Sequence, residues 1–263
     1  MNIVLVHGIL GFRNLVELGP AGLIPYFRDV AEHFQAQGHR VLAVKLDKTA
    51  GVATRAGQLG DQIAAALAAG GTLDPAQKTH ILAHSMGGLD SRYLLSPANP
   101  KPNTLPIRSL TTISTPHLGS PIADAVDDPH IPQDIKNAIA AVLAKFDISL
   151  DGLRDLRTDR CRVFSKTHPD RPGVDYSSIA GVGRPGFIKT WALFVPLYEF
   201  ISLQTHDDND GLVTRGSAKW GTFLGEWPAD HVDEIGYNLP IIPPVFHHLP
   251  KYDEILARLA RLP

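Results

Sequence analysis

The sequence predicts a doubly wound, mostly parallel α/β sheet with an inserted helical region, and three observations carry that prediction. Short apolar, β-branched runs alternate with longer segments of helical periodicity, the pattern of parallel strands joined by right-handed crossovers. Residues 79–84 read as a short apolar strand of the kind buried on both faces of a parallel sheet. The chemically capable stretches "HGILGF" (7–12), Ser85 and "TPHLGS" (115–120) each directly follow such a run. In open α/β sheets, functional groups gather beyond the carboxyl ends of the strands.

Taken in order, "NIVLV" (2–6) is the first strand by its β-branched content. "AGLIPYFRDVAEHFQAQG" follows with Leu23, Phe27, Val30, Ala31 and Phe34 at helical spacing and closes at Gly38. "RVLAVKL" (40–46) is the second strand, and "RAGQLGDQIAAALAAGG" a helix with a Gly-Gly stop. Residues 79–84 form a third strand, which passes into the helix "MGGLDSRYLL"; "IRSLTTIST" (107–115) and "VDYSSIAGVG" (174–183) are later strands. "PKYDEILARLARL" closes the chain as an amphipathic helix.

From about 118 to 203 the alternation is interrupted. Ile135, Ile139, Val142, Leu143 and Phe146 recur at i, i+4, i+7, i+8 and i+11, an amphipathic stripe that is either a surface helix packed on the core or a movable cap over an apolar site. "FIKTWALFVPLYEFISL" (187–203) is broken by Lys189, Pro196 and Glu199 and is marginal against the roughly 20 residues of a spanning helix, so it reads as core or pocket lining. No linker or low-complexity tract divides the chain, which reads as one domain over 1–263 with a cap or lid insertion at about 118–203.

Composition narrows the function. At 44% hydrophobic and 20% charged, the chain reads as an ordinary globular protein. A formal net charge of -2 gives no electrostatic reason to bind nucleic acid or an anionic membrane. With Cys161 as its one cysteine, it implies neither an internal disulfide nor a zinc cluster. "MNIVLVHG" has no basic n-region or cleavage-type site, so the expectation is a cytoplasmic protein, or one secreted by a route without a cleaved signal.

Ser85 stands where the third strand turns directly into a helix. Such a turn strains the backbone and pushes the side chain out of the sheet's top edge. It also demands small flanking residues, which Ala83 and Gly87 supply in an A-x-S-x-G variant of G-x-S-x-G. A serine hydroxyl is a weak nucleophile and needs a histidine base oriented by a carboxylate, in the chain order Ser, Asp or Glu, His. "HDDNDGLVTRGSA" (206–218) offers Asp207, Asp208 and Asp210; Asp210, beside Gly211 and the apolar pair Leu212-Val213, is favoured. For the base, His231 in "ADHVDEIG" competes with His247 and His248, and is equally readable as a loop histidine satisfied by Asp230 or Asp233.

"VLVHGILGF", "AHSMGG", "TPHLGS", "NDGLV" and "DHVDEIG" occur together and in this order, and on them the chain resembles the pseudomonad-type bacterial triacylglycerol lipases of the α/β-hydrolase superfamily. It is most similar to their signal-less, disulfide-free members, and the likeness is weakest between about 121 and 205. The resemblance implies an α/β-hydrolase fold in which Ser85 is the nucleophile, Asp210 the acid and His231 the base. The backbone amides of Ile9 and Met86 would form the oxyanion hole, and the 133–147 stripe a lid. It further implies a structural calcium near the histidine loop, with Asp233 as the one matched ligand, and no organic cofactor. The implied partner is a lipid or other apolar ester, met at lipid droplets or micelles. The alternatives are a small-ester, lactone or polyester hydrolase with the same triad, or a hydrolase-fold protein that binds an apolar ligand without turnover.

Overall fold

In β1 (Asn2–Val6), Ile3 and Leu5 pack into one apolar cluster and Val4 and Val6 into another. A run without polar alternation is what a strand covered on both faces requires. The same division recurs in β3 (Thr79–His84), with Leu82 on the first side and Ile81 and Ala83 on the second. The computed structural model describes residues 1–9, 26–101, 104–146, 150–183, 190–237 and 246–263. Leu23, residues 10–12 of "HGILGF", positions 187–189 and the side chain of Phe146 lie outside that description.

The remaining strands are β2 (Arg40–Ala43), β4 (Ile107–Ile113), β5 (Asp175–Gly181) and β6 (Thr222–Trp227). They complete a six-stranded sheet in the order β2, β1, β3, β4, β5, β6, in which every neighbouring pair is parallel. The expected doubly wound α/β class is therefore the observed one. The strand expected at 40–46 is shorter, ending at Ala43. Sequence reading missed β6 altogether: it is an edge strand of alternating exposure, interrupted by Gly225 at φ 123°, so it lacks the continuous apolar run that marks the buried strands.

Helices α1 (Val30–Ala36), α2 (Val52–Leu67) and α3 (Gly87–Leu95) connect the first four strands. Between β4 and β5 come α4 (Pro121–Ala125), α5 (Gln133–Phe146), α6 (Leu150–Arg154) and α7 (Thr158–Thr167). After β5 follow α8 (Val195–Thr205), α9 (Arg215–Ala218) and α10 (His248–Leu259). Phe34 of α1 and Tyr252 and Ile255 of α10 cover one face of the sheet; Leu59 and Ile63 of α2 and Leu94 of α3 cover the other. The 118–203 interruption thus contains one sheet strand, β5, with the inserted helices before it. In the apolar stretch 187–203, Leu197, Phe200 and Ile201 of α8 are buried in the core. Helix α10 begins two residues ahead of Pro250, which the first turn accommodates because no intrahelical bond is asked of its nitrogen. Among the described residues no helix is long and apolar enough to cross a membrane.

Candidate active site

Ser85 is the first residue beyond β3 and holds a left-handed backbone, φ 57°, which is strained for any residue but glycine. The strain is braced locally: Ser85 N donates to Ile113 O at 2.9 Å, and Ser85 O accepts from Thr115 Oγ1 at 2.7 Å. Small neighbours are needed because β1 runs close by. A Cβ on Gly87 would stand 2.6 Å from Val6 O, whereas the Cβ of Ala83 points into the core between the sheet and α2. Alanine therefore serves at the first small position.

Asp210 and His231 come together from loops after α8 and after β6. His231 Nδ1 lies 2.7 Å from Asp210 Oδ2, and His231 N donates to Asp210 O at 3.1 Å. The other carboxylate oxygen of Asp210 accepts from Leu212 N at 2.9 Å and Val213 N at 2.7 Å. Both side chains are buried. With its Nδ1 proton held by the carboxylate, the imidazole has Nε2 left as the acceptor. Among the described residues no hydrogen bond joins Ser85 Oγ to His231, but both line one narrow cavity.

The alternatives are placed elsewhere. Asp207 and Asp208 flank Arg215, and Asp207 Oδ2 accepts from Gly216 N. His247 is exposed, and His248 Nε2 bonds the carbonyl of Arg28 at 2.8 Å. None of the four lines the cavity.

Apart from Ser85, Pro116, Ser120 and His231, the cavity walls are aliphatic. Ile139, Val142 and Leu143 of α5 form one side of it, so the stripe found in the sequence faces the site. Ile9 lines it too, and Met86 caps α3 directly after Ser85. Among the described residues neither the Ile9 nor the Met86 amide has a hydrogen-bond partner.

Behind His231 lies a polar cluster that sequence reading did not single out. His84 packs against His231 with ring centroids 4.5 Å apart. Its Nε2 is 3.0 Å from Glu234 Oε2 and its Nδ1 2.8 Å from the Tyr26 hydroxyl. Ser114 Oγ donates to Glu234 Oε1 at 2.6 Å. Burial drives Glu234 well above the usual carboxylate range and His84 well below the usual imidazole range. The one sequence signal was proximity: Glu234 stands three residues after His231 and His84 one before Ser85.

Two groups of residues bear on metal binding. His84, His231 and Glu234 offer ligand atoms within 4.8 Å of one another, although His84 and Glu234 already bond each other. Asp233 is buried with Oδ1 unpartnered, and burial next to Asp230 pushes it up to about 8. Asp230 Oδ1 accepts from the amides of Val232 and Asp233, and Oδ2 from that of Trp191. One orphaned carboxylate oxygen is a start for calcium, but the described donors fall short of the six to eight oxygens it takes.

Comparison with known proteins gives a consistent picture. The family model described as "Putative serine esterase (DUF676)" matches residues 2–177. The chain is 31% identical over 230 residues to Triacylglycerol lipase 2 of Saccharomyces cerevisiae, covering 86% of this chain but 65% of the yeast protein. It is 30% identical over 274 residues to a triacylglycerol lipase of Vibrio cholerae, covering 91% and 80%. Among solved structures, the Staphylococcus hyicus lipase superposes with a TM-score of 0.73 at 18% identity, covering 99% of this chain and 95% of that one.

Proposed function

This chain belongs to that serine esterase family and has the α/β-hydrolase fold, and from this premise we propose that it hydrolyses carboxylic esters of lipids through Ser85, His231 and Asp210. The observation that carries the proposal is the 2.7 Å contact between His231 Nδ1 and Asp210 Oδ2, in an imidazole that shares one cavity with a serine on a strained strand-to-helix turn.

The chemistry follows from those positions. Ser85 Oγ attacks the ester carbonyl while His231 Nε2 takes its proton, and the Asp210 carboxylate steadies the imidazolium that results. The tetrahedral oxyanion is held by the amides of Ile9 and Met86. Backbone donors of this kind typically supply about 2.7 to 4 kcal/mol each. His231 returns the proton to the departing alcohol, and water repeats the sequence on the acyl-enzyme. No step uses a metal or an organic cofactor, and Asp233 is the residue to test for calcium.

Aliphatic walls around Ser85 favour an acyl chain over a polar substituent. The yeast and Vibrio relatives are named triacylglycerol lipases, which supports lipid esters as the substrate class. The test compares a short-chain and a long-chain nitrophenyl ester with wild type and Ser85→Ala, both shown to be folded. Activity that collapses by several orders of magnitude in the variant supports the proposal. A folded wild type inert on both esters would point instead to a ligand-binding protein without turnover.

A further inference from the structure

We infer that Arg55 is a positioning residue for the Ile9 amide, fixing the peptide between Gly8 and Ile9 from behind and tying it to the helix that carries the Met86 amide. This rests on the ester-hydrolase reading above. Arg55, on α2, is fully buried and does not line the substrate cavity. A buried guanidinium is costly unless its donors are matched, and the matches here are informative. Nε and Nη2 both reach Asp90 Oδ2 at 2.8 Å, Nη1 donates to Asp47 O at 3.1 Å, and Nη2 donates to His7 O at 2.8 Å and Gly8 O at 3.3 Å.

The Gly8 carbonyl and the Ile9 N–H are opposite edges of a single planar peptide. Holding the oxygen toward α2 therefore fixes where the N–H points. A second donor holds the same oxygen: His7 Nδ1 is 2.8 Å from Gly8 O, while His7 Nε2 accepts from Leu46 N at 2.9 Å. That pair of bonds assigns the His7 proton to Nδ1, and burial and the Arg55 charge keep the ring neutral. At its other end the guanidinium grips Asp90 in the first turn of α3, where Asp90 N donates to Met86 O at 3.1 Å. The ion pair thus spans the two amides proposed to bind the oxyanion, although neither charge touches the substrate cavity.

A purely structural ion pair would be felt in stability and not in transition-state binding, and the test separates the two. In the full chain, Arg55→Met and Arg55→Lys are compared with wild type for kcat, KM and the Ki of a trifluoromethyl ketone, whose adduct with Ser85 carries an oxyanion. We expect Arg55→Met to lose roughly 10²-fold in kcat, with KM within about threefold of wild type and Ki weakened in parallel with kcat. Arg55→Lys, which keeps the charge but one donor site, should recover part of the loss. A folded Arg55→Met with kcat within about threefold of wild type overturns the inference, as does a kcat loss with unchanged Ki. Should the methionine variant not fold, the lysine variant is judged by the same two criteria. If Ser85→Ala is inert and the Arg55 variants are unimpaired, the inference alone falls. If Ser85→Ala keeps its activity, the hydrolase reading falls and takes the inference with it.

Discussion

Replacing Asp210 by asparagine changes one atom's hydrogen-bonding character and leaves the shape, so its consequence can be worked from the bonds. Oδ1 accepts from two backbone amides and Oδ2 from His231 Nδ1. An asparagine can keep its oxygen toward Leu212 N and Val213 N, placing its NH₂ against His231 Nδ1. Flipping it instead would set a donor against two donors, leaving buried amides unpaired at about 1–3 kcal/mol each. The first orientation wins, and it forces His231 into the tautomer protonated on Nε2. That imidazole cannot take the Ser85 proton. We expect kcat for nitrophenyl ester hydrolysis to fall by ~10⁴. Thermal stability should drop modestly, since one charge-assisted bond worth roughly 1.5–3 kcal/mol is weakened and not abolished. The reasoning is refuted if Asp210→Asn keeps its rate to within about tenfold, or if Asp207→Asn, Asp208→Asn or Glu234→Gln causes the large loss in its place.

Three further outcomes are expected. In Gly8→Ala the new Cβ would stand 2.6 Å from Ser85 Cβ and 2.9 Å from the Tyr26 hydroxyl, so Ser85 must shift; a displacement of about 1 Å predicts roughly a 10²-fold lower kcat in a folded protein, and a wild-type rate would show that the approach is not tight. His7 is lowered to about 4 from 6.5, mainly by burial and then by Arg55: between those values the unfolded chain binds more protons than the folded one, so stability is lost as pH falls through that window. Melting curves across it should be steeper for wild type than for His7→Asn, and equal slopes would rule out the assignment. If Asp233 contributes to a calcium site, millimolar calcium should raise the melting temperature of wild type and leave that of Asp233→Asn unmoved, and the absence of any shift in wild type removes Asp233 from consideration as a ligand.

Legibility in the sequence tracked how local the physics was. The turn at Ser85 was readable because every constraint on it lies within a few residues: an apolar run before it, a helix after it, small residues beside it. The strand β1 was readable because its buried run is almost wholly apolar, and β3 because Ile81, Leu82 and Ala83 form an apolar centre directly before Ser85. By contrast β6 is half exposed and carries Gly225 and Glu226, so it lacks a continuous apolar run, although Thr222, Phe223 and Trp227 suit a strand. The residues alone left His231, His247 and His248 open and the resemblance favoured His231; the fold adds that the carbonyl of Arg28 occupies His248. Arg55 sat inside a correctly expected helix without attracting notice, since helical periodicity records that a position is buried and not which distant carbonyl its side chain meets. The same holds for Glu234, whose bond to His84 joins positions 150 residues apart.

What keeps so dispersed a site in register is a relay along the carboxyl edge of the sheet. Among the described residues Ser85 is one of two serines with positive φ; the other, Ser114 at φ 44°, is the first residue beyond β4. Left-handed backbone costs each roughly 1–2 kcal/mol, and each is braced by the next strand over. Ser85 N donates to Ile113 at the end of β4, and Ser114 N donates to Ile179 near the end of β5, both at 2.9 Å. Ser114 Oγ then accepts from Gly181 N and donates to Glu234, in the loop that carries His231. Net hydrogen bonds of about 1 kcal/mol apiece are enough to offset strain of this size. The turn at Ser85, two strand ends and the loop of His231 are therefore linked through consecutive bonds. Ser85 and His231 share one cavity at this edge.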